Sequence, residues 1–442
     1  LRLGKYSVYK EEWMKRKPVV VDLFCGAGGE SQGIHRAAEK FGVELKLLAV
    51  NHWERAIITH STNFPQYESL WRDVFDVHPR KVVGNERISL LWGSPSCVTH
   101  SNARGGRPLD DYDINQDRIS PNAILDWLSD PVIAPDRVII ENVKEFVNWG
   151  PVGRDGRPIK ERKGETFRAY ISMIRSMGYI VDWRLINAAD LGAPTTRIRL
   201  FIQAVRIGSG KRLMWPEATH AAMPGFGADS LLTSGLKPWI PARDIIDWSI
   251  PTQLIDNRKK PLADNTMRRI MQGVERYWGE GAKPFITRYN GGENRNHSID
   301  DPVPTLDTSN RYGLVEPFIL EERGSKRQIR KLSDPLSTIA TSGAHHALVQ
   351  PLLMEYYGNG QCKPVSQPVG TVTTKERFAL LESKGVGIGF RMLQPHELAL
   401  AQSFNKDYQI TGNKSEVVRQ IGNAVCPNVA EALAEDSFRR FA

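Results

Sequence analysis

Cysteine is scarce in this chain of 442 residues: four in all, Cys25, Cys97, Cys362 and Cys426, with no pair at CxxC spacing. That excludes a disulfide-stapled secreted scaffold and a structural zinc site, both of which need thiols in clusters; no metal is expected. Long apolar runs are missing too. Val19-Val20-Val21 leading into Leu23-Phe24 is far short of the ~18 residues that cross a bilayer. With neither a membrane span nor a secretory leader in sight, a cytoplasmic protein is expected. Charge of one sign does not dominate: 59 Lys plus Arg stand against 50 Asp plus Glu, a net +9 with a pI near 9.3. Such a balance suits a polyanionic partner without naming one.

Forty per cent of the residues are apolar, enough for a sizeable core divided over about 2–3 domains. Up to residue 205, β-branched apolar runs (19–24, 45–50, 88–92, 137–141, 179–186, 200–205) alternate with amphipathic stretches (31–41, 54–63, 121–128, 166–177). That alternation predicts an α/β domain with a parallel sheet covered on both faces, where ligands sit beyond the carboxyl ends of the strands. Beyond residue 208 the texture turns Pro- and Gly-rich, with a helical pattern at 265–277. An internal repeat runs through it. Pro284, Pro317 and Pro351 are each followed seven residues later by a glycine, Gly291, Gly324 and Gly358. Pro302, Pro335 and Pro368 recur at intervals of 33, each three residues before Thr305, Thr338 or Thr371. Then come the matching strings Tyr312-Gly313-Leu314-Val315, His346-Ala347-Leu348-Val349 and Phe378-Ala379-Leu380-Leu381. Three copies of one short β unit follow, either a stacked scaffold or a frame whose turns make a binding surface. Helical period returns at 397–404 and 428–438. The expected organisation is an α/β domain over 1–207, the repeat region over 208–388, and a tail over 389–442 that packs back on the first domain.

Chemistry is expected where strands end. Asp22-Leu23-Phe24-Cys25-Gly26-Ala27-Gly28-Gly29 places glycines where a strand turns into a helix, so that backbone can approach a ligand. It misses the dinucleotide fingerprint, because the third glycine would fall at Ser31; a nicotinamide oxidoreductase is disfavoured. The second strand ends in Asn51-His52-Trp53, with Asp73 further on. Trp53 is either plain core or a flat surface for an adenine. Ser94-Pro95-Ser96-Cys97 puts a thiol after a strand, a core residue or a nucleophile, with Arg104 and Arg107 following. Glu141-Asn142-Val143 ends the next strand, and Arg197 and Arg199 precede the one at 200–205. In a parallel sheet these groups are expected to converge on one mouth.

Taken in order, these segments resemble the DNA cytosine C5-methyltransferases over the whole chain. The resemblance implies a Rossmann-like, S-adenosylmethionine-dependent methyltransferase domain of α/β class, with a large, mostly β, inserted target-recognition domain. It implies cofactor contacts from Asp22, Phe24, Gly26, Gly28, Gly29, His52, Trp53, Asp73, Asn423 and Val425, the last two in the closing string Gly422-Asn423-Ala424-Val425-Cys426-Pro427. Catalysis falls to Cys97, Glu141, Arg197 and Arg199, and substrate contacts to Pro95, Ser101, Arg104 and Asn142. Three positions depart from the family pattern: Ser96 before the nucleophile in place of proline, Val98 after it in place of glutamine, and His52 in place of a ribose-binding acid, which leaves His52 or Glu54 for the ribose.

The residue types suit that chemistry. Cytosine C5 is too weak a nucleophile to take a methyl group directly, so a thiolate adds first at C6. Glu141 would hold a proton at N3, which calls for a carboxyl of raised pKa, while Arg199 binds the base's carbonyl oxygen and Arg197 supports the loop. The base must leave the duplex, at a cost of roughly a few kcal/mol. The partner implied is double-stranded DNA, with a cognate restriction endonuclease as a further partner; the rival readings are an RNA cytosine methyltransferase and a catalytically inactive DNA-binding relative. Basic residues of the repeat region, among them Arg288, Lys326, Arg327, Arg330 and Lys331, form the pool for contacts to phosphates and base edges.

Overall fold

The computed structural model describes residues 17–96, 110, 119–222, 235–250, 296–306, 389–439 and 441, together with strand segments between 253 and 381. The helical pattern at 265–277 lies outside the described residues. Two compact units emerge. The first holds 1–240, 302–309 and 398–442; the second holds 241–301 and 310–397.

The first unit is built on a seven-stranded sheet of β1 (Val19–Leu23), β2 (Lys46–Asn51), β3 (Glu68–Trp71), β4 (Ile88–Gly93), β5 (Arg137–Asn142), β6 (Tyr179–Asn187) and β7 (Ile198–Arg206). Their order is β3-β2-β1-β4-β5-β7-β6. β1 is buried along its whole length, as a strand covered on both faces must be. Because side chains alternate across a strand, Val19, Val21 and Leu23 enter one core layer with Ile124, Trp127 and Ile171, while Val20 enters the other with Ile34, Leu433 and Phe438. The helices are α1 (Gly29–Lys40), α2 (Glu54–Asn63), α3 (Pro79–Val83), α4 (Asn122–Ser129), α5 (Glu165–Ser176), α6 (Pro395–Ala401), α7 (Lys414–Asn423) and α8 (Pro427–Phe438). α7 opens with a capping box between Asn413 and Glu416. α8 packs on α1 so closely that a Cβ at Gly33 would lie 2.4 Å from the Pro427 carbonyl oxygen.

One expectation is corrected. The sheet is mixed, because β7 runs antiparallel to both β5 and β6. The start of β7 therefore lies beside the carboxyl end of β5, with Asn142 opposite Leu200. In a wholly parallel sheet the residues leading into this strand would sit at the opposite mouth, and Arg197 and Arg199 would be far from Glu141. A short two-stranded sheet, β8 (His220–Ala221) with β9 (Lys237–Pro238), completes the unit's strands.

In the second unit, β10 (Gln253–Leu254), β11 (Phe285–Arg288), β12 (Asn296–Ser298), β13 (Tyr312–Glu316), β14 (Phe318–Arg323), β15 (Lys326–Lys331), β16 (His346–Leu348), β17 (Leu352–Glu355), β18 (Cys362–Pro364), β19 (Phe378–Leu381) and β20 (Gly389–Met392) form antiparallel sheets. Each sequence repeat makes one three-stranded group whose first strand is central: β12-β11-β13, β15-β14-β16 and β18-β17-β19. The register repeats as well. Ile286, Ile319 and Leu353, each two residues after its repeat proline, pair with Leu314, Leu348 and Leu380, each third in its string. Among the described residues no helix is long and apolar enough to cross a membrane.

Candidate active site

Four strand ends meet at one mouth of the first unit's sheet: the carboxyl ends of β1, β4 and β5, and the start of antiparallel β7. The turn after β1 is tightly wound. Phe24 adopts φ +65°, Gly26 +50° and Gly28 +81°; for Phe24 that left-handed conformation is held against its intrinsic preference by the surrounding bonds. The Cys25 amide donates to the Val50 carbonyl at 3.2 Å, and the Gly28 amide to the Cys25 carbonyl at 2.8 Å. The glycines divide in purpose. A Cβ at Gly29 would meet the Val425 carbonyl oxygen at 2.2 Å, and one at Gly28 the Tyr408 hydroxyl at 2.6 Å, whereas one at Gly26 would meet only the Phe24 carbonyl oxygen, at 3.9 Å. Gly28 and Gly29 make room for the C-terminal segment; Gly26 leaves an open face, the cradle a ligand would occupy.

Asp22 and Glu30 lie buried at this turn, 0% and 2% exposed. Ser31 Oγ donates to Asp22 Oδ2 at 2.6 Å, and His60 Nε2 lies 3.0 Å from the same hydroxyl. Since the Ser31 proton goes to Asp22, His60 donates through Nε2 and accepts from the Ser69 hydroxyl, 2.8 Å away, through Nδ1. Burial lowers the His60 pKa to about 4, so the ring is neutral. Burial lifts Asp22 to about 7, with the Ser31 hydrogen bond opposing. It raises Glu30 well above the carboxylate range, reinforced by the charge of Asp22. Asp22 Oδ1 and Glu30 Oε2 are buried without a hydrogen-bond partner.

At the end of β2, Asn51 Oδ1 accepts from the Trp53 amide at 2.9 Å, and the exposed His52 offers its carbonyl to Trp71 Nε1 at 2.9 Å. The Trp53 ring carries the Arg419 guanidinium 4.8 Å from its centroid. Asp73 caps a single helical turn, accepting from the Phe75 amide at 3.0 Å. Asn423, ending α7, is exposed, whereas the Val425 side chain is in the core.

Past β4, the Ser94 amide donates to the Leu23 carbonyl at 3.1 Å and Trp92 Nε1 donates to Ser94 Oγ at 3.1 Å. Asn142 uses both ends of its amide locally: Nδ2 donates to the Pro95 carbonyl at 3.2 Å, and Oδ1 accepts from the Val143 amide at 2.9 Å. Asn142 therefore acts on the position of Pro95. Cys97, Ser101 and Arg104 lie outside the described residues. Glu141, 7% exposed, is paired with Arg199 at 3.1 Å. Burial raises its pKa, and Arg199 and Arg197 partly offset the rise. Arg197, buried, donates to the Leu306 and Gly422 carbonyls at 3.0 and 3.1 Å. Residues 302–306 come to it because Val303 pairs with Thr195. Cys25 and Cys426 are poor nucleophiles, since burial pushes the first thiol up and the second to about 11.

Glu30, Ser94, His60 and Arg419 were missed from sequence. Glu30, Ser31 and Gln32 read as the polar side of a helix; only the segment around Val425 and Pro427, from the far end of the chain, buries them. Among the described residues no group of His, Cys, Asp or Glu could hold a metal ion.

A family model described as C-5 cytosine-specific DNA methylase matches residues 19–439. The type II methyltransferase M.AquIA of Picosynechococcus is 27% identical over 235 residues, covering 51% of this chain and 87% of that protein. The type II methyltransferase M.XorII of Xanthomonas oryzae is 30% identical over 201 residues, covering 43% and 41%; the chain thus spans less than half of that relative. Among solved structures, the Entamoeba histolytica methyltransferase EhMeth superposes with a TM-score of 0.52 at 13% identity, covering 96% of this chain and 98% of that one. Spodoptera frugiperda DNMT2 gives 0.51 at 16% identity, covering 96% and 100%. At such identities the likeness is one of fold, a central α/β sheet shared with methyltransferases.

Proposed function

Because the chain belongs to the C-5 cytosine-specific DNA methylase family, we propose that it methylates C5 of a cytosine flipped out of a specific double-stranded DNA sequence, through a covalent bond from Cys97 to C6. The single observation that carries this reading is Glu141: a buried carboxyl of raised pKa, held by Arg199 at the strand-end mouth. Such a group holds a proton at neutral pH and can donate it to a ring nitrogen.

The Cys97 thiolate supplies the electron pair of the new C6–S bond. The C5=C6 π electrons move into the ring toward N3, where the Glu141 proton receives them, and C5 becomes nucleophilic as the end of an enamine. Arg199 orders the carboxyl and binds the carbonyl oxygen of the base; Arg197 fixes the start of β7. After transfer, loss of the C5 proton restores the double bond and expels the Cys97 thiolate. S-adenosylmethionine supplies the electrophilic methyl group when bound. The residues that would hold it fit: the open face at Gly26, the wound turn at Phe24, the buried acid Asp22, and Trp53 and Asp73 at neighbouring strand ends. In the same reading residues 208–388 recognise the target sequence, with β15, Lys326-Arg327-Gln328-Ile329-Arg330-Lys331, contributing to phosphate contacts. Residues 1–207 and 389–442 form the catalytic domain, and the protein works in the cytoplasm beside a cognate endonuclease.

Expression in a host lacking cytosine methylation, followed by genome-wide mapping of 5-methylcytosine, tests the function. A short defined motif methylated at one cytosine is the expected result. Unmodified DNA from cells making soluble, cofactor-binding protein would overturn it, and methylation confined to RNA would favour the rival substrate.

A further inference from the structure

Ser94 and Pro95 are held from four elements at once. β1 supplies the Leu23 carbonyl to the Ser94 amide, β4 the Trp92 indole to the Ser94 hydroxyl, and β5 the Asn142 amide to the Pro95 carbonyl. The fourth hold is from α1, where the Glu30 carboxyl takes a hydrogen bond from the Ser94 side chain. The first three are a backbone group, an indole and an amide. Glu30 is different in kind, an acid on the first turn of α1, 2% exposed and with one oxygen left without a partner. A buried acid is costly to keep, and a lone structural hydrogen bond to a serine does not require one.

We propose that Glu30 is a positioning residue for methyl transfer: through Ser94 it fixes where the chain leaves β4, three residues before Cys97. The inference rests on the reading of Cys97 as the nucleophile. Glu30 shares its surroundings with Asp22 of β1, Cys25 of the turn, Glu141 of β5 and Tyr408 beyond α6. Asp22 is the nearest acid in effect. Paired with it, Glu30 serves as a neutral carboxyl, with one oxygen accepting from Ser94. A glutamine keeps the acceptor and needs no proton; an alanine removes the hold.

Methyl incorporation into genomic DNA from a host lacking cytosine methylation, measured with full-length E30A, E30Q, S94A and the E30A/S94A pair, tests this. Affinity for S-adenosylhomocysteine and melting temperature are measured alongside. A misplaced reacting group costs about 10- to 100-fold in turnover, so E30A and S94A are each expected to lose kcat by that factor with cofactor affinity within about threefold. The double variant should be no slower than the slower single one, and E30Q should stay within about twofold of the parent. Unchanged kcat in E30A, additive losses in the double variant, or a loss of cofactor affinity that accounts for the lost rate would each overturn the proposal. An inactive parent protein that binds both cofactor analogue and DNA would overturn the reading of Cys97, and this inference with it.

Discussion

Two sets of buried acids share one mouth of the sheet and solve the same problem differently. Glu141 at the end of β5 lies against guanidinium groups, with Arg199 3.1 Å away. Asp22 and Glu30, at β1 and α1, have no cation among the described residues and are met by hydroxyls and a neutral histidine instead. Desolvation is the largest influence on all three. At Glu141 it is opposed by positive charge, which tempers the rise; at Asp22 and Glu30 it is reinforced by their mutual repulsion. The difference separates two uses of a buried carboxyl. A proton that must move to a base and back needs a tunable acid, and a nearby cation does the tuning. A carboxyl that only holds other groups in place is better kept neutral.

Removing the cation breaks the comparison most sharply. R199A leaves Glu141 buried without its partner and the base without a ligand, so kcat should fall about 10²- to 10³-fold, with cofactor affinity nearly unchanged. Methyl-incorporation kinetics check this, and an R199A enzyme as fast as the parent would place the proton donor elsewhere. Asp22 comes next. Its pKa is raised from an ordinary 3.8 to about 7, so it contributes stability that is present at acid pH and lost as pH climbs toward 7. Urea unfolding between pH 4 and 8 should show that decline, and D22N should flatten it by up to about 1.4 kcal/mol per pH unit; parallel curves for the two proteins would contradict the shift. The smallest effect is expected beside the neutral acids, where the Arg419 cation lies over the Trp53 ring and not on a carboxylate. R419A should change cofactor affinity by about two- to fivefold, measured by calorimetry, and a change beyond tenfold would mean that Arg419 contacts the cofactor itself.

Much of the frame was legible because periodicity and turn chemistry are local. The helix Glu54–Asn63 has the bounds its pattern gives, and β2 differs from the apolar run at 45–50 by one residue at each end. The repeat was legible because three copies of a pattern cannot hide in a sequence, and each copy folds as its own small antiparallel group. The direction of β7 was not. A strand reads alike in either sense, and only its pairing with β5 puts Arg199 on Glu141.

From the sequence alone came the elements, the repeat, and the identity of residues whose spacing names a chemistry, since these depend on neighbours along the chain. The tertiary structure decided strand sense, the burial of Glu30 beneath a segment some 395 positions later, and the hydroxyl–imidazole chain from Ser69 to Asp22. Those follow from which surfaces lose water when distant segments pack, and desolvation, the force that sets these acids apart, acts only once the chain has closed over them.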